Sequence, residues 1–142
     1  MGGLAGAAVY HDHANAPAQD SCASNLTTTA PAARKQLCVV IVNYRTPDLV
    51  VDCLRSLLPE LDAATHAVVV VDNKSGDGSV APIEDWLTTN DRNELVRLIC
   101  AERNLGFSGG NNLGMSACEA NYYLLLNSDT IVRPGAIDTL LA

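Results

Sequence analysis

The chain has 142 residues, a formal net charge of −7 and a hydrophobic fraction of 48%. This length and composition allow one domain with one core, which aliphatic side chains must fill because aromatic residues make up only 4%. The acidic balance argues against nucleic acid as a partner, since proteins that bind it usually carry a basic patch.

Residues 1–36 form the first segment of distinct composition. They are rich in Ala, Thr, Gly, Asn and Pro, and large apolar residues are sparse among them. Such a stretch buries too little surface to offset the entropy that ordering costs. We therefore predict a disordered tail over 1–36 and a folded domain over 37–142.

From Leu37 onward, strand and helix patterns alternate four times. The strand patterns are short apolar runs rich in β-branched residues, which are typical of strands buried on both faces. A helix pattern follows each strand, and the first has a proline in its opening turn, at Pro47, and ends at Pro59. This alternation predicts an α/β fold with a parallel sheet and helices on both faces. The predicted strands are 37–42, 67–72, 95–101 and 121–127, and a loop is predicted over 102–110.

Ligands of such sheets bind beyond the carboxyl ends of the strands, so the residues after each strand are the candidate site. The turn after the first strand contains no glycine, which excludes the G-x-G-x-x-G motif of dinucleotide folds, and no P-loop motif occurs. A glycine-rich stretch with Gly106, Gly109, Gly110 and Gly114 follows the third strand instead. Its backbone N–H groups could face an anion, or its glycines could serve a tight turn and close helix packing.

Two carboxylates stand at strand ends, and each has two interpretations. Asp72 closes the second strand, where it could accept hydrogen bonds from a base or ribose, or could start the following turn. Asp129 follows the fourth strand, where it could hold a divalent metal that bridges two phosphates, or could serve a turn or helix cap. The functional interpretation gains support because both residues would meet at one crevice.

Four segments carry a resemblance to a known family. In order and spacing, VVIVNYRTPDLVVDCLRSLL, VVVVDNKSGDGS, ERNLGFSGGNNLGM and YYLLLNSDTIVRPGAI resemble the amino-terminal half of family 2 glycosyltransferases. The resemblance extends over residues 37–142 and is strongest to a rhamnosyltransferase-like branch that acts on bacterial cell-surface polysaccharides. It implies the GT-A fold, which is a Rossmann-like α/β fold, here carboxy-terminally truncated.

The resemblance also implies a site. Asn43 and Tyr44 would line the nucleotide pocket, Asp72 would hydrogen-bond the base, and the segment from Asn104 to Asn112 would cradle the nucleotide and donor sugar. Asp129 stands where the last acid of a metal-binding D-x-D motif belongs, and would bind Mg²⁺ or Mn²⁺. The implied nucleotide- and donor-binding residues are Asn43, Tyr44, Asp72, Asn104, Gly106, Phe107, Gly109, Gly110, Asn111 and Asn127.

The sequence departs from the family pattern at two places. Asn127 replaces the first acid of the metal motif, and an amide is a weaker metal ligand than a carboxylate. The chain ends at Ala142, inside a predicted helix and before the acceptor-binding region and general base of family members. We therefore assign no catalytic residue within this chain.

Three functions follow as alternatives. The first is the donor half of a metal-assisted, inverting glycosyltransferase that moves a sugar from a nucleotide-diphosphate sugar to a polysaccharide or lipid-linked saccharide acceptor. The second is a non-catalytic nucleotide-binding fragment or degenerate product, and the third is an unrelated flavodoxin-like or regulatory domain, which the motif order disfavours. The fourth predicted strand would leave an open apolar edge, through which we expect self-association.

The cysteine content and the hydropathy of the sequence indicate the cellular compartment of the protein. Five cysteines without a CxxC pair favour a reducing compartment. No apolar run approaches the ~20 residues that a membrane-spanning helix needs. These features predict a cytoplasmic protein, either free or peripheral at the inner face of the membrane.

Overall fold

A computed structural model describes residues 7–11 and 33–142 of the chain. None of the helices in these ranges is both long and apolar enough to cross a membrane. A short 3₁₀ turn, Leu58–Glu60, follows the first helix. The strands are β1 (Ala7–His11), β2 (Lys35–Asn43), β3 (His66–Asp72), β4 (Val96–Cys100) and β5 (Ala120–Asn127), and the helices are α1 (Pro47–Leu57), α2 (Val80–Thr89), α3 (Gly106–Ser116) and α4 (Ala136–Leu141).

The strands form one sheet in the order β1-β5-β2-β3-β4. Strands β5, β2, β3 and β4 are parallel, and β1 runs antiparallel to β5. The parallel part confirms the sheet that the alternating strand and helix patterns predict. Because β2 and β3 occupy its centre, their carboxyl ends at Asn43 and Asp72 lie side by side in register.

Alternate residues of β2 point into two separate cores. Leu37, Val39 and Ile41 belong to the larger core, which is covered by α1, α2 and α4. Cys38 and Val40 belong to a smaller core on the opposite face, beneath α3. The sheet is therefore covered by helices on both faces, as predicted, and residues 37–41 of its central strand are all buried.

Helix α3 differs from the sequence-based expectation. It begins at Gly106, so that most of the loop predicted over 102–110 is its first turn. Glycines lower helix propensity, but close packing outweighs this cost here. A Cβ atom on Gly114 would lie 2.3 Å from Cγ1 of Val40, and one on Gly110 would lie 3.0 Å from Cγ1 of Val42. Only glycine at these positions lets α3 lie this close to β2. The start of this helix could not be predicted from the sequence pattern, because the pattern does not show which strand residues the helix contacts.

The amino-terminal stretch also differs from the expectation where the structure describes it. Most of the predicted disordered tail, residues 1–36, lies outside the described residues. Within it, however, Ala7–His11 forms β1, and β2 begins at Lys35. Strand β1 pairs with β5 over the register Ala7 to Leu126 through His11 to Tyr122. The open β5 edge that we expected is thus occupied, because β1 supplies the main-chain hydrogen bonds that an edge strand otherwise lacks.

Candidate functional site

A cavity of about 700 Å³ opens at the carboxyl ends of β2, β3 and β5. Its base is formed by Val42 and Leu126 at the ends of two adjacent strands, and one wall is formed by the first turn of α3. This is the crevice at which the sequence analysis places the site. The lining residues are Val42, Tyr44, Thr46, Leu49, Asn73, Asn104, Gly106, Phe107, Leu126, Asn127, Ser128 and Asp129.

A buried polar cluster joins the ends of the two central strands behind the cavity wall. Asn43 is fully buried, and its amide Nδ2 donates to Oδ1 of Asp72 at 2.8 Å and to Oγ of Ser75 at 3.3 Å. Its Oδ1 accepts hydrogen bonds from the backbone N and the Oγ1 of Thr46, at 3.1 and 3.3 Å. Asn43 therefore sets the start of α1, where Thr46 makes no side-chain cap.

The Asp72 carboxylate is also engaged within the protein. Its Oδ1 accepts from Oγ of Ser75 at 2.6 Å, and its Oδ2 accepts from the backbone N of Ser75 at 3.2 Å. These contacts form the turn that the sequence analysis gives as the alternative role of this residue. Asp72 is only 4% exposed and does not line the cavity.

Asn73 links β3 to the start of α3. Its Nδ2 donates to Oδ1 of Asn104 at 3.2 Å and to the Gly106 carbonyl oxygen at 3.0 Å, while its Oδ1 accepts from the Leu105 backbone N at 2.9 Å. Asn104 in turn accepts from the Gly106 backbone N at 2.8 Å. Asn73 was not among the predicted site residues, although its position directly after a buried strand was a signal for it.

A second link joins the ends of β2 and β5. The hydroxyl oxygens of Thr46 and Ser128 lie 3.3 Å apart and share a hydrogen bond. Beside them Asn127 lines the cavity, and Asp129 extends into solvent at its mouth. Thr46 and Ser128 are not among the predicted binding residues; Ser128 directly follows β5, a strand-end position that was a signal for it, whereas a hydroxyl residue in a turn, such as Thr46, has no distinctive sequence signal.

Three apolar side chains at the cavity mouth are exposed. Phe107 is 61% exposed, and Tyr44 and Leu49 are each 43% exposed. The Arg45 guanidinium lies 5.1 Å from the centroid of the Tyr44 ring, and its Nε donates to the Ser75 carbonyl oxygen at 3.1 Å. Arg45 thereby supports one face of the Tyr44 ring. Exposed flat rings at a cavity mouth are suited to stacking against a planar ligand.

The structure brings only part of the predicted set to the cavity surface. The predicted residues that line the cavity are Tyr44, Asn104, Gly106, Phe107, Asn127 and Asp129. The others lie behind this surface and serve the fold: Asn43 and Asp72 in the polar cluster, Gly109 and Gly110 in the close packing of α3, and Asn111 through a 3.0 Å bond from its Nδ2 to the Phe107 carbonyl oxygen.

Asp129 is the single charged side chain among the residues found to line the cavity. Burial raises the pKa of the neighbouring Cys53 thiol to about 12, and the negative charge of Asp129 makes a smaller contribution in the same direction. Across the described part of the chain, no three His, Cys, Asp or Glu side chains are grouped to hold a metal. One carboxylate with neighbouring amide and hydroxyl oxygens fits a hard cation that takes its remaining ligands from water and phosphate.

Comparison with known proteins is consistent with this arrangement. Residues 38–142 match the glycosyl transferase family 2 profile. The succinoglycan biosynthesis protein ExoO of Rhizobium meliloti is 33% identical over 105 residues, which are 72% of this chain and 28% of ExoO. The chain therefore spans less than a third of this relative's length.

Solved structures share the fold. S. aureus TarS in complex with UDP-GlcNAc superposes with a TM-score of 0.63 at 23% identity, over 74% of this chain and 30% of TarS. The mannosyltransferase PcManGT from Pyrobaculum calidifontis, in complex with GDP-Man and Mn²⁺, also gives 0.63, at 22% identity over 80% of this chain and 33% of its own. At these identities the similarity establishes the fold, which is the GT-A fold.

Proposed function

The chain belongs to glycosyl transferase family 2, and from this premise we propose that its cavity binds a nucleotide-diphosphate sugar. In this proposal the chain supplies the donor-binding half of an enzyme that passes the sugar to a polysaccharide or lipid-linked saccharide. The observation that carries the proposal is the position of Asp129, which is the lone charged group among the described residues that line the cavity and lies at the mouth of a crevice with exposed aromatic rings.

The size and polarity of the cavity suit such a donor. A volume of about 700 Å³ is within the range of small-molecule and cofactor sites. Tyr44 and Phe107 offer ring faces for a base or sugar, and Asn104 and Asn127 offer amide groups for hydroxyls. Asn73 holds Asn104 and Gly106 in place, so that this wall is ordered before a ligand arrives.

Binding of a diphosphate in this cavity requires a cation. A diphosphate is an anion, and no Lys or Arg stands among the described residues that line the cavity. We propose that Asp129 binds Mg²⁺ or Mn²⁺, with Asn127 and Ser128 orienting water or donor hydroxyls beside it. When bound, such a cation would hold the diphosphate and stabilise the negative charge that develops on the departing nucleoside diphosphate.

The finer features of the reaction belong to the same proposal. TarS and PcManGT are complexed with UDP-GlcNAc and GDP-Man, so that nucleotide-sugars of different bases occur on this fold. The strongest sequence resemblance favours dTDP-rhamnose as the donor here. Transfer is proposed to be inverting, and the group that deprotonates the acceptor is assigned to no residue of this chain.

Calorimetric titration of the chain with UDP, GDP and dTDP, each with and without Mn²⁺, tests the proposal. We expect at least one of them to bind, more tightly with Mn²⁺, and to raise the melting temperature by mass action. Absence of heat and of thermal shift for all three would refute it. Binding without turnover of any donor sugar would favour a nucleotide-binding module.

A further inference from the structure

The segment that carries Asp129 is not fixed by its own burial. Residues 128–135 join β5 to α4 without helix or strand structure, and none of them is fully buried. Its first turn is closed by the Thr130 backbone N, which donates to the Asn127 carbonyl oxygen at 3.1 Å. An exposed segment with so few internal contacts opens easily, so its position depends on hydrogen bonds to other elements.

Two side chains from the end of α1 and from the 3₁₀ turn after it hold this segment. Ser56 Oγ accepts a hydrogen bond from the Val132 backbone N at 2.9 Å. Glu60 Oε2 accepts one from the Gly135 backbone N at 2.6 Å. Beyond the segment, the buried Ile137 of α4 packs into the larger core. The two acceptors therefore hold the backbone at two points between Asp129 and α4.

The Ser56 hydroxyl has a fixed orientation. It donates to the Cys53 carbonyl oxygen at 2.8 Å, so that its oxygen lone pairs are left for the Val132 backbone N. Cys53 contacts the chain on the other side of Asp129, because its thiol donates to the Asn127 carbonyl oxygen at 3.9 Å. One turn of α1 thus binds the backbone both before Asp129 and after it.

We propose that Ser56 and Glu60 are positioning residues, which hold Asp129 at the mouth of the cavity before a cation binds. This inference rests on the proposed function, in which Asp129 binds Mg²⁺ or Mn²⁺. Neither residue is among those found to line the cavity, so both act through the backbone of residues 130–135. A carboxylate on a segment that is already ordered binds a cation without the entropy cost of ordering that segment.

Calorimetric titration with and without Mn²⁺ tests the effect on the cation site. The ligand is whichever of UDP, GDP and dTDP binds the parent chain most tightly. Ser56→Ala should reduce the gain in affinity that Mn²⁺ provides by about tenfold, which is typical when a residue that orients a metal ligand is lost. An undiminished Mn²⁺ gain would overturn the inference. An equal loss of affinity with and without Mn²⁺ would show a general structural role, and would overturn it as well.

Two further variants serve as matched controls. Ser116→Ala removes the same kind of local bond, since Ser116 Oγ donates to the Leu113 carbonyl oxygen at 2.8 Å on α3, which covers the opposite face of the sheet. This variant should keep the Mn²⁺ gain of the parent chain. Glu60→Gln keeps a side-chain oxygen that can accept from Gly135, so it should retain the gain that Glu60→Ala loses. Equal losses in the two Glu60 variants would overturn the assignment of Glu60.

Amide hydrogen exchange, measured by NMR without metal or nucleotide, separates this inference from the proposed function. The Thr130 amide reports on the whole segment, because its own hydrogen bond goes to Asn127 and not to Ser56. In Ser56→Ala it should exchange about fivefold faster than in the parent chain, as expected when one hydrogen bond that holds the segment is lost. Unchanged exchange at Thr130 would overturn the inference even if nucleotides bind. Faster exchange in a protein whose parent chain shows no Mn²⁺ gain would support the holding of the segment and refute the cation site at Asp129.

Discussion

The side-chain amide of Asn43 donates a 2.8 Å hydrogen bond to the carboxylate of Asp72, its register partner on the neighbouring strand. This bond links the carboxyl ends of β2 and β3 next to the cavity. Ser75 completes the arrangement by donating to both oxygens of Asp72. These residues lie behind the cavity wall, whereas Tyr44 and Asn104 line the cavity itself.

The first prediction concerns this polar cluster. Asn43→Ala removes hydrogen bonds to Asp72, Ser75 and Thr46 in a site from which water is excluded. Leaving buried polar partners unsatisfied should lower the free energy of unfolding by about 2–3 kcal/mol. Urea denaturation measures this loss. The matched control is Asn93→Ala at an exposed position, which should stay within about 0.5 kcal/mol of the parent chain. Equal stability of the two variants would contradict a structural role for Asn43.

The parallel strands could be predicted because burial on both faces leaves an unbroken apolar run, as in Val68–Val71 of β3. The polar residues after each strand could be placed at one edge for the same topological reason. Which of them face the ligand could not be read from sequence. Asn43 and Asp72 are turned inward by contacts between residues about 30 positions apart, and such contacts exist only in the folded chain.

The first turn of α3 is a second case in which the sequence does not show which residues face the ligand. Gly110 was predicted in a loop that cradles the ligand, and in the structure it lies in a helix that its missing Cβ lets approach Val42. A glycine selected for close packing and one selected for a turn are identical in sequence. Strand β1 was missed because its pairing with β5 links residues more than 100 positions apart.

The second prediction concerns the carboxylate at the cavity mouth. Asp129→Ala should remove the gain in nucleotide affinity that Mn²⁺ provides, at least about tenfold or ~1.4 kcal/mol. The control is Asp138→Ala, which makes the same charge change at an exposed position of α4 outside the cavity. Calorimetric titration of both variants with the nucleotide that binds best, with and without Mn²⁺, provides the comparison. If Asp129→Ala retains full metal dependence, the cation is bound elsewhere.

The third prediction tests the close contact between α3 and β2. Replacing glycine by alanine within a helix normally stabilises it by up to about 1 kcal/mol. For Gly114→Ala we expect the opposite, a loss of about 1–3 kcal/mol, because the new Cβ would lie 2.3 Å from Cγ1 of Val40. Thermal or urea unfolding gives the sign directly. Asn112→Ala, exposed on the same helix, should be nearly neutral.

A double variant separates steric overlap from any other effect of Gly114→Ala. Val40→Ala removes the γ carbons that the new Cβ would meet. The two changes should therefore couple favourably, so that the double variant is more stable than the sum of the single losses predicts, by about 0.5 kcal/mol or more. Strict additivity would show that the two sites do not touch.

The fourth prediction concerns alkaline pH. Burial, with a smaller contribution from Asp129, raises the pKa of the Cys53 thiol to about 12 in the folded chain. In the unfolded chain the pKa returns to its ordinary value, so between that value and about 12 the folded state holds a proton that the unfolded state has lost. The contribution of this thiol to stability is therefore complete below the ordinary pKa and is lost as pH rises, by up to about 1.4 kcal/mol per pH unit.

Comparison with Cys53→Ala isolates this contribution from other groups that titrate in the same range. Near pH 8 the variant should be the less stable protein, because it leaves a small cavity beneath α1. Its deficit should shrink steadily as pH is raised from 9 to 11, since only the parent chain has a thiol to lose. Val50→Ala, also fully buried on α1 but without a titratable group, should keep a constant deficit over this range. Parallel curves for all three proteins would mean that the Cys53 thiol ionises equally well in the folded and unfolded chains.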